Sequence, residues 1–159
     1  MGQVGQRDER ERLLWVLGAL VKARATTADT DGLVELLEYT GRKGDAAPVH
    51  IHPEQSESFY VLEGQVTIFL QERVIEAASG SFAFVSPGQR HTFRVESRQA
   101  TFLQFMTSGG IFPFYKEVGE PAPSATLPPP SDEPWDIEAL VNAMERHGME
   151  VLGPPPGME

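Results

Sequence analysis

Residues 44–64 read GDAAPVHIHPEQSESFYVLEG. In a strand, residues two apart share a face, so His50 and His52 in PVHIH project together while Ile51 faces away. Pro53 stops regular pairing and opens the loop PEQS. Glu57 then starts a second strand, ESFYVLEG, able to return to the same end of a sheet. Gly64 adds a hairpin signal ahead of QVTIFL. Two imidazoles and one carboxylate suit a first-row divalent metal. Glu54, inside the loop, is the competing carboxylate and reads as solvated.

The same pattern extends outward on both sides. From Gly32 to about Met106, short segments rich in Val, Ile, Phe, Tyr and Thr alternate with turn signals: LVELLEY, PVHIH, SFYVLEG, QVTIFL, RVIEA, GSFAFVS, HTFRVES and ATFLQFM. Strands of this length and spacing predict an all-β antiparallel sandwich or barrel, not alternating strands and helices. Within it, GSFAFVSPGQRH is a strand, a tight turn and a histidine, and His91 opens HTFRV. Hairpin logic brings His91 back beside His50 and His52. Three imidazoles and one carboxylate leave open positions on an octahedral ion, which closed structural zinc sites do not.

Composition narrows the class. The chain has 159 residues, no cysteine and a formal net charge of −10. Disulfides, thiolate sites and cysteine nucleophiles are excluded. The acidic balance argues against a nucleic-acid partner. The charged start MGQVGQRDERERLL lacks a signal-peptide core and no apolar run reaches membrane-spanning length, so a cytoplasmic protein without a membrane partner is expected. Residues 7–12, RDERER, read as a solvated charge run.

On these residues the sequence resembles the cupin family. Gly44, His50, His52, Glu57 and Gly64 fill every named position of the first cupin motif, G-x5-H-x-H-x4-E-x6-G. Gly80, Gly88 and His91 fit the second motif, G-x5-P-x-G-x2-H-x3-N, but Ser86 stands at its proline and Val95 at its asparagine. The resemblance implies a double-stranded β-helix (jelly-roll) barrel. It also implies that His50, His52, Glu57 and His91 bind one divalent transition metal: iron, manganese, cobalt, nickel, copper or zinc.

The longer stretch from Asp29 to Leu70, with the later FPFYKEVGEPA, resembles bacterial cupins similar to quercetin 2,3-dioxygenase. That likeness implies a small-molecule flavonol or other enolic aromatic substrate, Glu57 as catalytic base, and a homodimer with the N-terminal strand as a plausible exchange element. A polyketide cyclase or isomerase that uses no oxygen, or a non-catalytic binding protein, are the alternatives.

The flanks read less uniformly. In LLWVLGALVKARA, Leu13, Leu17, Leu20 and Val21 fit helical spacing, yet the composition also allows strand, and the family resemblance favours strand. Phe59, Val61, Phe93 and Val95 share parity with Glu57 and His91 and face the barrel interior, as core or as pocket. Phe112, Phe114 and Tyr115 follow a flexible SGG and suit either a lid or a dimer contact. The chain divides into a barrel with its N-terminal strands (1–118), a proline-rich extended linker (119–134) and a C-terminal helix with tail (135–159). In that helix Ile137, Leu140, Val141 and Met144 form an apolar stripe, Asp136 marks the start, Gly148 the end, and His147 meets the C-terminal dipole. The tail MEVLGPPPGME is expected to be partly ordered at most.

Overall fold

Alternating apolar residues pair into antiparallel ladders that bury one face each. The computed structural model describes residues 9–157, so residues 7 and 8 of the charge run lie outside it. The strands are β1 (Leu13–Val16), β2 (Ala19–Ala25), β3 (Val34–Arg42), β4 (Val49–Ile51), β5 (Ser56–Glu63) and β6 (Gln65–Leu70). They continue with β7 (Val74–Ala78), β8 (Phe82–Val85), β9 (His91–Val95), β10 (Gln99–Thr107), β11 (Glu120–Pro121) and β12 (Glu150–Gly153). Two helices, α1 (Phe112–Val118) and α2 (Ile137–Arg146), lie late in the chain. One sheet runs β11-β1-β2-β3-β10-β5-β8 and the other β12-β4-β9-β6-β7. Their inner faces pack as a jelly-roll with its core between them.

Aromatic side chains join the two sheets. Phe93 of β9 meets Tyr39 of β3 edge-on at 5.3 Å and Phe102 of β10 at 5.1 Å. Phe59, Val61 and Val95 are buried in the same cluster, as their strand parity requires. Burying each such side chain stabilises the fold by roughly 1.5–3 kcal/mol.

Residues 13–25 are two strands. The turn between them places Leu17 at φ 48° and Gly18 at φ 86°, the pair of positive values that a two-residue hairpin loop needs. The helical spacing of Leu13, Leu17, Leu20 and Val21 is incidental. β2 pairs with β3 and β1 with β2, all within this chain. Arg12, at the end of the charge run, is not simply solvated: its guanidinium grips both oxygens of Asp29 at 2.9 Å.

The C-terminal region departs from expectation more. Asp136 caps α2 by accepting from the Ala139 amide at 2.9 Å. The buried stripe, however, is Leu140, Ala143 and Met144, while Ile137 is 59% exposed. Val141 is half-buried. Part of the tail is ordered: β12 pairs antiparallel with β4, Val151 opposite His50, while residues 158 and 159 lie outside the described residues. β4 would otherwise be an open edge, and an unpaired edge next to a buried site favours a covering strand. Most of residues 119–134 are exposed, and the segment is pinned by Trp15 Nε1 donating to the Thr126 carbonyl at 2.7 Å and Arg42 to that of Pro128 at 2.8 Å. His147 does sit at the C-terminus of α2, but its ring also contacts Glu117 on α1. Among the described residues no helix is long and apolar enough to cross a membrane.

Candidate metal centre

Four chain positions converge between the sheets. His50 on β4 and His91 on β9 are direct cross-strand partners. His52 lies one residue past β4, and Glu57 is the second residue of β5 in the facing sheet. Pro53 ends β4 at the point where the chain must cross between sheets. The turn before β9 closes without the motif proline: the Gln89 amide donates to the Ser86 carbonyl at 3.1 Å, and that of Gly88 to His52 at 2.8 Å. Val95, at the motif's asparagine, is core.

The four ligand-type atoms lie within 4.8 Å of one another, and all four residues are buried. Glu57 Oε2 is 2.8 Å from His91 Nε2 and 3.1 Å from His52 Nε2, and the Nε2 atoms of His50 and His52 are 3.3 Å apart. Adjacent ligand atoms around an ion with bonds of about 2.1 Å stand about 3.0 Å apart in an octahedron. His50 Nδ1 donates to the Pro48 carbonyl at 2.7 Å and His91 Nδ1 to that of Gln89 at 2.9 Å. Those bonds place the proton on Nδ1 and turn the Nε2 lone pairs inward, the usual outer-shell arrangement of metal-ligating histidine. The cluster therefore fits a divalent metal ion.

Electrostatics point the same way. Burial, reinforced by the neighbouring imidazoles of His91 and His52, lowers the His50 pKa to about 3, so its ring is neutral. Burial alone would raise the Glu57 carboxyl, as its apolar strand suggests. The close contacts of His52 and His91 with Oε2 outweigh it and hold Glu57 well below the usual carboxylate range. Burial also disfavours charge on His91, but its bond to Glu57 raises that ring's pKa.

A cavity of about 70 Å³ opens on the cluster, reached by His50 and Glu57. Of the residues expected along a pocket, Phe59, Phe93, Phe114 and Tyr115 line it. Val61 and Val95 are core, and Phe112 is buried on α1 away from it. Phe112, Phe114 and Tyr115 are buried against their own chain.

Three polar lining residues escape a motif reading: Tyr39, Asp45 and Gln104. Tyr39 donates to Asp45 Oδ2 at 2.6 Å. Gln104 donates to Glu57 Oε1 at 3.0 Å and accepts from the Tyr115 hydroxyl at 3.0 Å. Strand parity could have found Gln104, because Ala100, Phe102 and Met106 of the same face are all buried. α2 and the turn after it close the cavity with Leu140, Met144 and Met149.

Comparison with known proteins agrees with this geometry. The family model described as Cupin domain matches residues 38–106. The chain is 29% identical over 119 residues to quercetin 2,3-dioxygenase of Bacillus subtilis, across 75% of this chain and 35% of that one. It thus spans about a third of that curated relative's length. Among solved structures, an RmlC-like cupin from Shewanella frigidimarina superposes with TM-score 0.56 at 17% identity, over 69% of this chain and 96% of that one. KdgF from Halomonas sp. superposes with TM-score 0.54 at 14% identity, over 59% and 83%. These structural likenesses concern the fold. Residues 38–106 of this chain match the cupin domain, and the chain is similar to quercetin 2,3-dioxygenase over 119 residues.

Proposed function

We propose that this chain is a metal-dependent dioxygenase acting on a flavonol or another enolic aromatic molecule, with His50, His52, Glu57 and His91 as metal ligands and Glu57 also as base. The observation that carries the reading is the buried three-histidine, one-carboxylate cluster opening onto an aromatic-walled cavity. A divalent metal bound there supplies Lewis acidity to an enolate oxygen. Glu57 lines the cavity and is the carboxylate placed to accept the enol proton. His50 and His91, with Nδ1 tied to carbonyls, keep fixed rings. Phe59, Phe93 and Phe114 exclude water from the reacting groups. A homodimer belongs to the same reading.

The test is oxygen uptake by metal-loaded protein with a panel of flavonols, read with product mass. Addition of two oxygen atoms is expected. A product without added oxygen identifies a cyclase or isomerase instead, and silence across the panel with metal bound counts against the substrate class.

One observation favours a second reading. A cavity of about 70 Å³ is room for about two waters at about 30 Å³ each, so a fifteen-carbon flavonol enters only if part of the wall, such as α1, moves. A small ligand held without turnover fits the closed cavity. Ligand-induced thermal shift with small enols but not flavonols, and no turnover, is the outcome that selects it.

A further inference from the structure

One polar chain in the cavity wall has no part in the chemistry above. Tyr115 Oη donates to Gln104 Oε1 and Gln104 Nε2 donates to Glu57 Oε1, each at 3.0 Å, and all three side chains are buried. A side-chain amide has one donor end and one acceptor end. Once Tyr115 holds the carbonyl end, only the NH2 end is left for the carboxylate. Flipping the amide would set its carbonyl against an anionic carboxylate in a buried place, which is costly. Burial pushes the Tyr115 phenol up, with the Glu57 charge adding to it, so the hydroxyl keeps its proton to donate.

Glu57 has two oxygens and they are used differently. Oε1 is held by Gln104, whereas Oε2 stands with His52 and His91. We infer that Tyr115 is a positioning residue acting through Gln104, fixing one oxygen of Glu57 so that the other is turned onto the histidines. The inference rests on the metal reading of that cluster. It also gives α1 a task beyond walling the cavity. Glu35 Oε1 accepts the amides of Ile111 and Phe112, at 2.7 and 3.0 Å, and so seats the start of the helix that carries Tyr115. Displacing α1 to admit a larger ligand withdraws Tyr115 from Gln104 and frees the Glu57 carboxylate to turn.

Cobalt(II) titration of the full chain tests this, read by the visible d–d spectrum and by affinity. Tyr115→Phe removes one hydroxyl and keeps the ring. It is expected to stay folded, to bind cobalt about tenfold more weakly and to show a shifted spectrum, the size of effect that removing an outer-shell partner has. Gln104→Leu cuts the link at its other end and is expected to shift the spectrum likewise. Val118→Ala loosens the same helix without breaking a side-chain hydrogen bond and should leave the spectrum alone. Unchanged spectrum and affinity in both Tyr115→Phe and Gln104→Leu overturn the inference while the metal reading stands. Wild-type protein that takes up no cobalt overturns the metal reading, and this inference with it.

Discussion

His91 decides the site more than the adjacent pair does. It is the cross-strand partner of His50 and contacts Glu57 Oε2, so it joins the two sheets at the cluster. Replacing it with alanine is expected to weaken metal binding by more than about a hundredfold, beyond the loss typical of an outer-shell change. Metal analysis after dialysis measures this, and retention near one equivalent would refute the ligand assignment. Glu57→Gln keeps the shape and removes the base, so turnover should fall by two orders of magnitude or more. A variant as fast as wild type would exclude Glu57 as base.

Spacing made these four residues legible. Asp45 was not legible, because it needs Tyr39, which lies on another strand. Burial raises the Asp45 carboxyl to about 6, against the pull of the Tyr39 hydrogen bond. Folding therefore favours its protonated form: that contribution is present below about pH 4 and is lost as pH rises through about 6. The ceiling is about 3 kcal/mol, and a half-buried group delivers less. Asp45→Asn should flatten the stability profile between pH 4 and 6 in chemical denaturation, and an unchanged profile would sink the assignment.

Elements differ in how far local sequence specifies them. The central strands show period-two alternation and are read directly. The β1–β2 hairpin hides its turn, because Leu17 is an unusual residue at φ 48° and gives no turn signal. For α2 the cap was readable and the buried face only in part: Leu140 and Met144 are buried as their spacing requires, Ile137 is not. Asp136 accepts from the Ala139 amide, so Asp136→Ala should cost about 1 kcal/mol in thermal unfolding. The buried stripe follows what α2 packs on. It contacts α1 and β12 and turns Leu140 and Met144 into the cavity, leaving Ile137 outside. No periodicity can report that, since about a hundred residues separate β4 from the strand that covers it. If α2 is part of the closure, Met144→Ala should enlarge the cavity and loosen discrimination against bulky ligands, measured as a relative rise in affinity for them.

At the scale of the whole molecule, one outer face has no cover among the described residues. β8 is the last strand of its sheet, and its Phe82 and Phe84 are 62% and 49% exposed. Phe82 stands opposite Tyr60 on β5, and Tyr60 opposite Leu103 on β10, so these residues are contiguous. Tyr60, Leu62 and Phe105 are exposed to a similar degree. At about 200 Å² per large side chain, the face offers roughly 400–500 Å² of apolar surface, the size of the largest patch on a typical monomer, which is often functional.

A two-fold axis there would put like on like, and aromatic residues tolerate that where charges would not. The chain carries −10, so each subunit repels its copy at long range. The proposed homodimer should then tighten as salt is raised, opposite to an ion-paired interface. Sedimentation equilibrium at two ionic strengths measures this. Phe84→Lys, which places a charge in the face, should give a monomer with its metal content unchanged. A monomeric wild type at tens of micromolar, or a dimer indifferent to Phe84→Lys, would rule this face out as the interface.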